Sequence, residues 1–162
     1  MAKRNRSSEP EKPMPDYQMF PVGMWHMFGA VLLMVACLVI AVILISEIGR
    51  GWVKEQTLMY IELAALVVLA LILSTSTFLL SRGRSVFHGF LIWHNRAYIL
   101  ILAAGTLFTF LAGEVGMAII SAMGFGFALL AHWLYCSKKY SHGVEYYRLI
   151  WAHHRSHKGK SS

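Results

Sequence analysis

Apolar side chains run along this chain in long unbroken stretches, not in the three-and-four spacing of a helix with one face in water. The first stretch, 22–46, holds about 25 residues without a single Asp, Glu, Lys or Arg, against roughly 20 needed to cross hydrocarbon. The second, 57–80, is interrupted only by Glu62. From 97 to 135 the chain stays apolar for about two spans and has to divide. It divides at Ala112-Gly113-Glu114-Val115-Gly116, where two glycines and a carboxylate favour a tight turn, giving spans at 97–113 and 115–136. The expected fold is all-α: an integral membrane four-helix bundle over residues 22–136.

The flanks read differently. Residues 1–21 carry Lys3, Arg4, Arg6 and Lys12 among Pro10, Pro13, Pro15 and Pro21, which oppose a helix, so a disordered basic tail is expected. The first apolar run starts too far along the chain for a secretory signal. Glu47-Ile48-Gly49-Arg50 follows it in place of a small-residue cleavage site, so it is expected to stay as a span. The segment 81–96 mixes Arg82, Arg84, His88, His94 and Arg96 with Phe87, Phe90, Leu91, Ile92 and Trp93, the pattern of a short helix lying in the membrane interface. The last segment, 137–162, reads as a basic amphipathic tail. Val144, Tyr147, Ile150, Trp151 and His154 line one side of a helix there, and Lys138, Lys139, Lys158 and Lys160 flank it. Such a helix is expected to lie on anionic headgroups or to dock on a partner's cytoplasmic domain.

Composition excludes the soluble classes: 57% of residues are hydrophobic and only 14% charged, against roughly 25% charged in a soluble domain. The net charge of +7 would point to nucleic acid in a soluble protein, but here its placement counts for more. With both termini inside, every one of the fifteen Lys and Arg residues except Arg50 and Lys54 falls on the cytoplasmic side, the distribution that orients spans. Trp25, Trp93, Tyr98, Trp133 and Tyr135 then lie at the inner boundary, and Trp52 and Tyr60 at the outer one, as interfacial anchors. The reading is a multi-pass protein of the inner (plasma) membrane with cytoplasmic N- and C-termini and no nucleic-acid partner. Its outer segments, 47–56 and the turn at Glu114, are short, so partners meet it in the bilayer or on the cytoplasmic face.

Candidate chemistry is sparse. All eight histidines read as cytoplasmic or as lying at inner helix ends. His26 opens the first span and His132 closes the fourth, so the pair is the candidate for clamping a haem b between helices. No H-x-x-H-H spacing occurs, which sets aside the histidine-box oxygenases, and Cys37 and Cys136 lack metal spacing and read as small hydrophobes. Glu62 and Glu114 are the carboxyls nearest hydrocarbon and the candidates for an ion pathway, with interfacial hydration as the plainer reading. No deeper acid or base is apparent to extend a relay. On the fourth span Ser121, Gly124 and Ala128 share a face with Glu114, Met117 and His132, while Ala118, Ala122 and Gly126 form a second small row. Small rows let backbones approach in lipid; one serves the bundle, and the other is available to a second subunit. The function expected is a non-catalytic subunit of a larger inner-membrane complex of secretion, conjugation, polymer-export or respiratory type. Its partners would be other membrane subunits or further copies of itself, with anionic lipid at the cytoplasmic face. The alternatives are a haem b redox subunit and a small ion or solute channel.

Overall fold

The computed structural model describes residues 21–50 and 52–158; of the tails expected over 1–21 and 137–162, residues 1–20 and 159–162 lie outside them. The described chain is all-helical, without strands: α1 (Met24–Gly49), α2 (Glu55–Ser81), α3 (Val86–Leu111), α4 (Val115–Tyr135) and α5 (Lys138–Lys158). The first four are long and apolar enough to cross a membrane. The segment 81–96 is not a separate interfacial helix. α3 begins at Val86 and runs unbroken for 26 residues, about 39 Å, which takes His94 and Arg96 into the same rod as Leu102 and Phe110.

The turns follow from local chemistry. Gly113, at φ +80°, closes α3: its N–H donates to Phe110 O at 3.1 Å, and that of Glu114 to Thr109 O at 3.0 Å. This reversal needs a residue without a Cβ, and α4 starts at once after it. The same pair of bonds ends α2, from Gly83 to Leu80 O and from Arg84 to Leu79 O. Ser137 caps α5, its Oγ accepting from the N–H of Tyr140 at 3.2 Å.

The tight part of the bundle is the trio α1, α3 and α4. Ala30, Met34, Cys37, Ala41 and Leu44 on α1 recur at alternating four and three residues, and Ala118, Ser121, Gly124, Ala128, Ala131 and Tyr135 on α4 at intervals of three or four. That period of about 3.5 keeps one seam facing inward along the whole span. Small residues set the distance: the Cys37 thiol reaches the carbonyl of Gly124 at 3.5 Å, and a Cβ on Gly124 would meet Ile40 Cγ2 at 2.9 Å. The two small rows of α4 are therefore not used as two units. Ser121, Gly124, Ala128 and also Ala118 are buried in the bundle, whereas Ala122 is exposed and a Cβ on Gly126 would meet open space.

α2 stands apart. Only 17% of its most apolar stretch is buried, against 39% for α1, and Leu63 and Leu71 are 62% and 61% exposed. Its buried residues are Leu58 near one end and Leu73, Ser76 and Leu80 near the other. Between Leu58 and Leu73, about 22 Å of helix, α2 touches the bundle without sealing against it.

α5 crosses the end of the bundle where α1 begins. Tyr140 and Val144 are buried, Tyr140 stacks on His88 of α3 at 5.1 Å, and Gly143 faces Met27 of α1. About 16 Å further along, the Trp151 indole donates to Ser81 O of α2 at 2.9 Å, with the Arg82 guanidinium over its ring. Burial pushes the phenols of Tyr140 and Tyr147 above their ordinary value. The side of this helix expected to lie on lipid is thus largely taken up by its own bundle, because Tyr140 and Trp151 find apolar partners and a free carbonyl there. Lys138, Lys139 and Arg148 stay exposed. At this capped end stand Arg82, Arg84, Lys138, Lys139 and Arg148; at the opposite, hairpin end stand Glu47, Glu55, Glu62 and Glu114 with Arg50 and Lys54.

Candidate functional site

The gap under α2 is a chamber of about 220 Å³ bounded by three helices. α1 contributes Ala41, Val42, Ile45 and Ser46; α2 contributes Leu58, Ile61, Glu62, Ala65 and Leu69; α3 contributes His94, Ala97, Tyr98 and Ile101. It exists because each helix presents an alanine (Ala41, Ala65 and Ala97) where a larger side chain would fill the space. Ile45, Ile61 and Ile101 line it and are also 55%, 50% and 41% exposed, so it is open to the outside of the bundle.

Its surface is almost wholly apolar. Towards the hairpin end the Ser46 hydroxyl donates to Glu62 Oε1. Glu62 lies about 10 Å into α2 and also borders an open vestibule formed with Arg50, Glu55 and Gln56. Arg50 is engaged elsewhere, with Glu47 at 3.0 Å. On α3 stand His94, 9% exposed, and Tyr98, 4% exposed, edge to face at 4.9 Å, with Phe90 stacked on the other side of the imidazole. His94 Nε2 and Tyr98 OH are buried and have no hydrogen-bond partner. Asn95 beside them donates to Ala128 O of α4 at 3.1 Å, which ties α3 to α4 and fixes which way its neighbours point. Both atoms are sealed from solvent and from the chamber, and a buried polar atom left unpaired costs about 1–3 kcal/mol.

The residues singled out from the sequence are distributed as follows. Glu62 lines the chamber, but Glu114 lies in the α3–α4 turn and borders a separate pocket of about 170 Å³ with Glu47, Thr109 and Met117. The two carboxyls do not share a cavity. His26, in the first turn of α1, and His132, in the last turn of α4, lie at the same end of the bundle, where Gly29 meets Leu134. His132 Nε2 lies 3.8 Å from Cys136 Sγ, its i+4 neighbour, and no hydrogen bond or ring contact joins it to His26. Among the described residues no group of three or more His, Cys, Asp or Glu side chains is gathered to hold a metal ion.

Sequence reasoning missed His94, Tyr98 and Ser46. The signal was present: Leu91, His94, Tyr98, Leu102, Gly105 and Thr109 recur at three and four residues and are one continuous buried face. No family model, curated protein or solved structure matches the chain.

Proposed function

We propose that the chain is a multi-pass subunit of a larger assembly in the inner (plasma) membrane, with both termini cytoplasmic, acting by helix packing and through a basic cytoplasmic face. The observation that carries this reading is the division between a sealed trio and an outlying α2, whose apolar middle finds little to pack against in its own chain. The outward small face at Ala122 and Gly126 supports it, since a second helix could approach closely there. The orientation is supported by charge: cations gather at the capped end and carboxyls at the hairpin end. Lys138 and Lys139 are exposed towards anionic headgroups or an acidic partner surface, while Arg148 pairs with Glu145 at 4.0 Å.

Two measurements test it. A photo-crosslinking residue at Leu63 or Leu71 is expected to give a discrete protein adduct of one mass in native membranes, while the same residue at buried Ala128 gives none. Lipid adducts alone, with a monodisperse monomer in detergent, would sink the subunit reading. A periplasm-dependent phosphatase fused after Ser162 is expected to be silent and a cytoplasmic fluorescent reporter bright; the reverse pattern overturns the orientation.

A further inference from the structure

The chamber beneath α2 and the vestibule at the hairpin end adjoin, because Leu58 and Glu62 line both. They differ in chemistry. The chamber is aliphatic, whereas the vestibule, open and about 480 Å³, is bordered by Arg50, Glu55, Gln56 and Glu62. We infer that together they bind one phospholipid with a primary-ammonium head, a single acyl chain lying in the chamber and the head in the vestibule. The inference rests on the four apolar helices crossing the bilayer and is independent of the subunit reading.

Shape is the first argument. Leu58 and Leu69, at the two ends of the α2 wall, are eleven positions apart, about 16 Å of helix. That is the depth of one leaflet, half of a hydrocarbon core roughly 30 Å thick. A space of about 220 Å³ drawn out over this length is a narrow slot. A partner's helix, about 10–12 Å across with its side chains, does not enter it. Water against Ala41, Val42, Ala65 and Leu69 finds none of the two to four polar partners that hold a buried water. A chain of methylenes meets both conditions. Ile45, Ile61 and Ile101, one from each helix, form a half-exposed lateral edge, so the chain enters sideways from lipid. α2, sealed only towards its ends, is the wall with room to move.

Charge at the polar end is the second argument, and it selects the head. Arg50 is paired with Glu47, whereas neither Glu55 nor Glu62 forms an ion pair among the described residues. Lys54 is not among the vestibule's walls. Two carboxylates and one partly neutralised guanidinium therefore stand beside the slot, an excess of negative charge. A phosphate with no cation attached is repelled there, and choline brings a cation without an N–H. A primary ammonium brings three donors, which the Glu62 carboxylate at the seam or that of Glu55, two turns further out, accepts. Ser46 donates to Glu62 Oε1 and leaves Oε2 for the head. The phosphate accepts from the Gln56 amide and from the guanidinium donors that Glu47 leaves free.

The experiment places the full chain, one per nanodisc, in phosphatidylcholine with a small fraction of phosphatidylethanolamine bearing a photoactivatable acyl chain. Phosphatidylcholine and phosphatidylglycerol with the same chain are the comparisons, and adducts are located by peptide mass spectrometry. Labelling at Ala41, Ala65, Leu69 or Ala97 that saturates at one lipid per chain is expected. Phosphatidylethanolamine is expected to be preferred about three- to tenfold over either comparison, the worth of one or two partly exposed charge pairs. Ala65→Leu, on the loosest helix, fills the slot and is expected to abolish these adducts. Glu55→Gln combined with Glu62→Gln is expected to keep them and erase the head preference, and Glu114→Gln, beside the other pocket, to change nothing. Adducts spread evenly over exposed Leu63, Leu71 and Leu107 without saturation, or chamber adducts that survive Ala65→Leu, overturn the proposal. Equal labelling by the three heads overturns it too, and identifies an unselective chain crevice. Each disc holds one chain, so none of these outcomes depends on a partner subunit.

Discussion

Alanine at position 23 is expected to lift α5 off the bundle, accelerating amide hydrogen exchange across 140–151 by roughly thirty- to several-thousand-fold. Gly23 precedes α1 at φ +104°, a conformation that costs an L-residue about 1–2 kcal/mol. The steric term is at least as large. A Cβ there would run into the backbone carbonyl of Lys139, the second residue of α5, and Gly143 one turn on packs over the same spot. A side chain could rotate away, but a carbonyl in a helix cannot, so relief requires α5 to move as a body; overpacking of this kind costs about 1–3 kcal/mol. Together about 2–5 kcal/mol is lost from docking, and each 1.4 kcal/mol is a factor of ten in exchange. The spans are expected to keep their protection, because α1, α3 and α4 pack without α5. Gly126→Ala, where a Cβ meets open space, serves as the control and is expected to leave 140–151 unchanged. Wild-type exchange rates in Gly23→Ala would mean that α5 is not held by this contact.

Much of the architecture could be read from the residues, and the limits of that reading have physical causes. Four long apolar runs are visible because nothing in water tolerates them, and the turn at Gly113 is visible because glycine is the residue a left-handed reversal requires. The start of α3 was hidden. Arg82, Arg84 and Arg96 made 81–96 look interfacial, whereas Arg96 and Trp93 point outward and His94, Asn95 and Tyr98 point inward on the same helix. Charge density along the sequence averages over both faces, and only the three-and-four spacing separates them. The docking of α5 was hidden for a related reason. An amphipathic face shows that a partner exists, but not whether it is lipid or the protein's own end, and Ser81 O, which receives the Trp151 indole, is a backbone atom with no signature in the sequence. The chamber was least visible of all, since it depends on three alanines from three helices standing at one depth.

A tight contact between α1 and α3 makes the second large effect, and it is best measured as a coupling. A Cβ at Gly105 of α3 would collide with Cδ2 of buried Leu44 on α1, and Leu44 Cγ and Cδ1 stand at 3.1 and 3.3 Å from the same point. Rotating the isobutyl group therefore exchanges one clash for another while Cγ stays where it is. Alanine gains about 1 kcal/mol over glycine in helix propensity, but overpacking costs about 1–3 kcal/mol, so Gly105→Ala is expected to destabilise the bundle on balance. Leu44→Ala alone leaves a cavity and is expected to cost about 2–5 kcal/mol. In the double variant the new methyl occupies part of the space the leucine vacated, so the two losses are expected to fall short of their sum by about 1–3 kcal/mol in reversible unfolding from mixed micelles. Strict additivity would show that α1 and α3 do not meet at this point. Leu44 also stands between Ala41 and Ile45, two of the chamber's walls. Prising α1 from α3 in Gly105→Ala is therefore expected to deform the chamber as well, and the double variant, by letting the helices close again, to restore it.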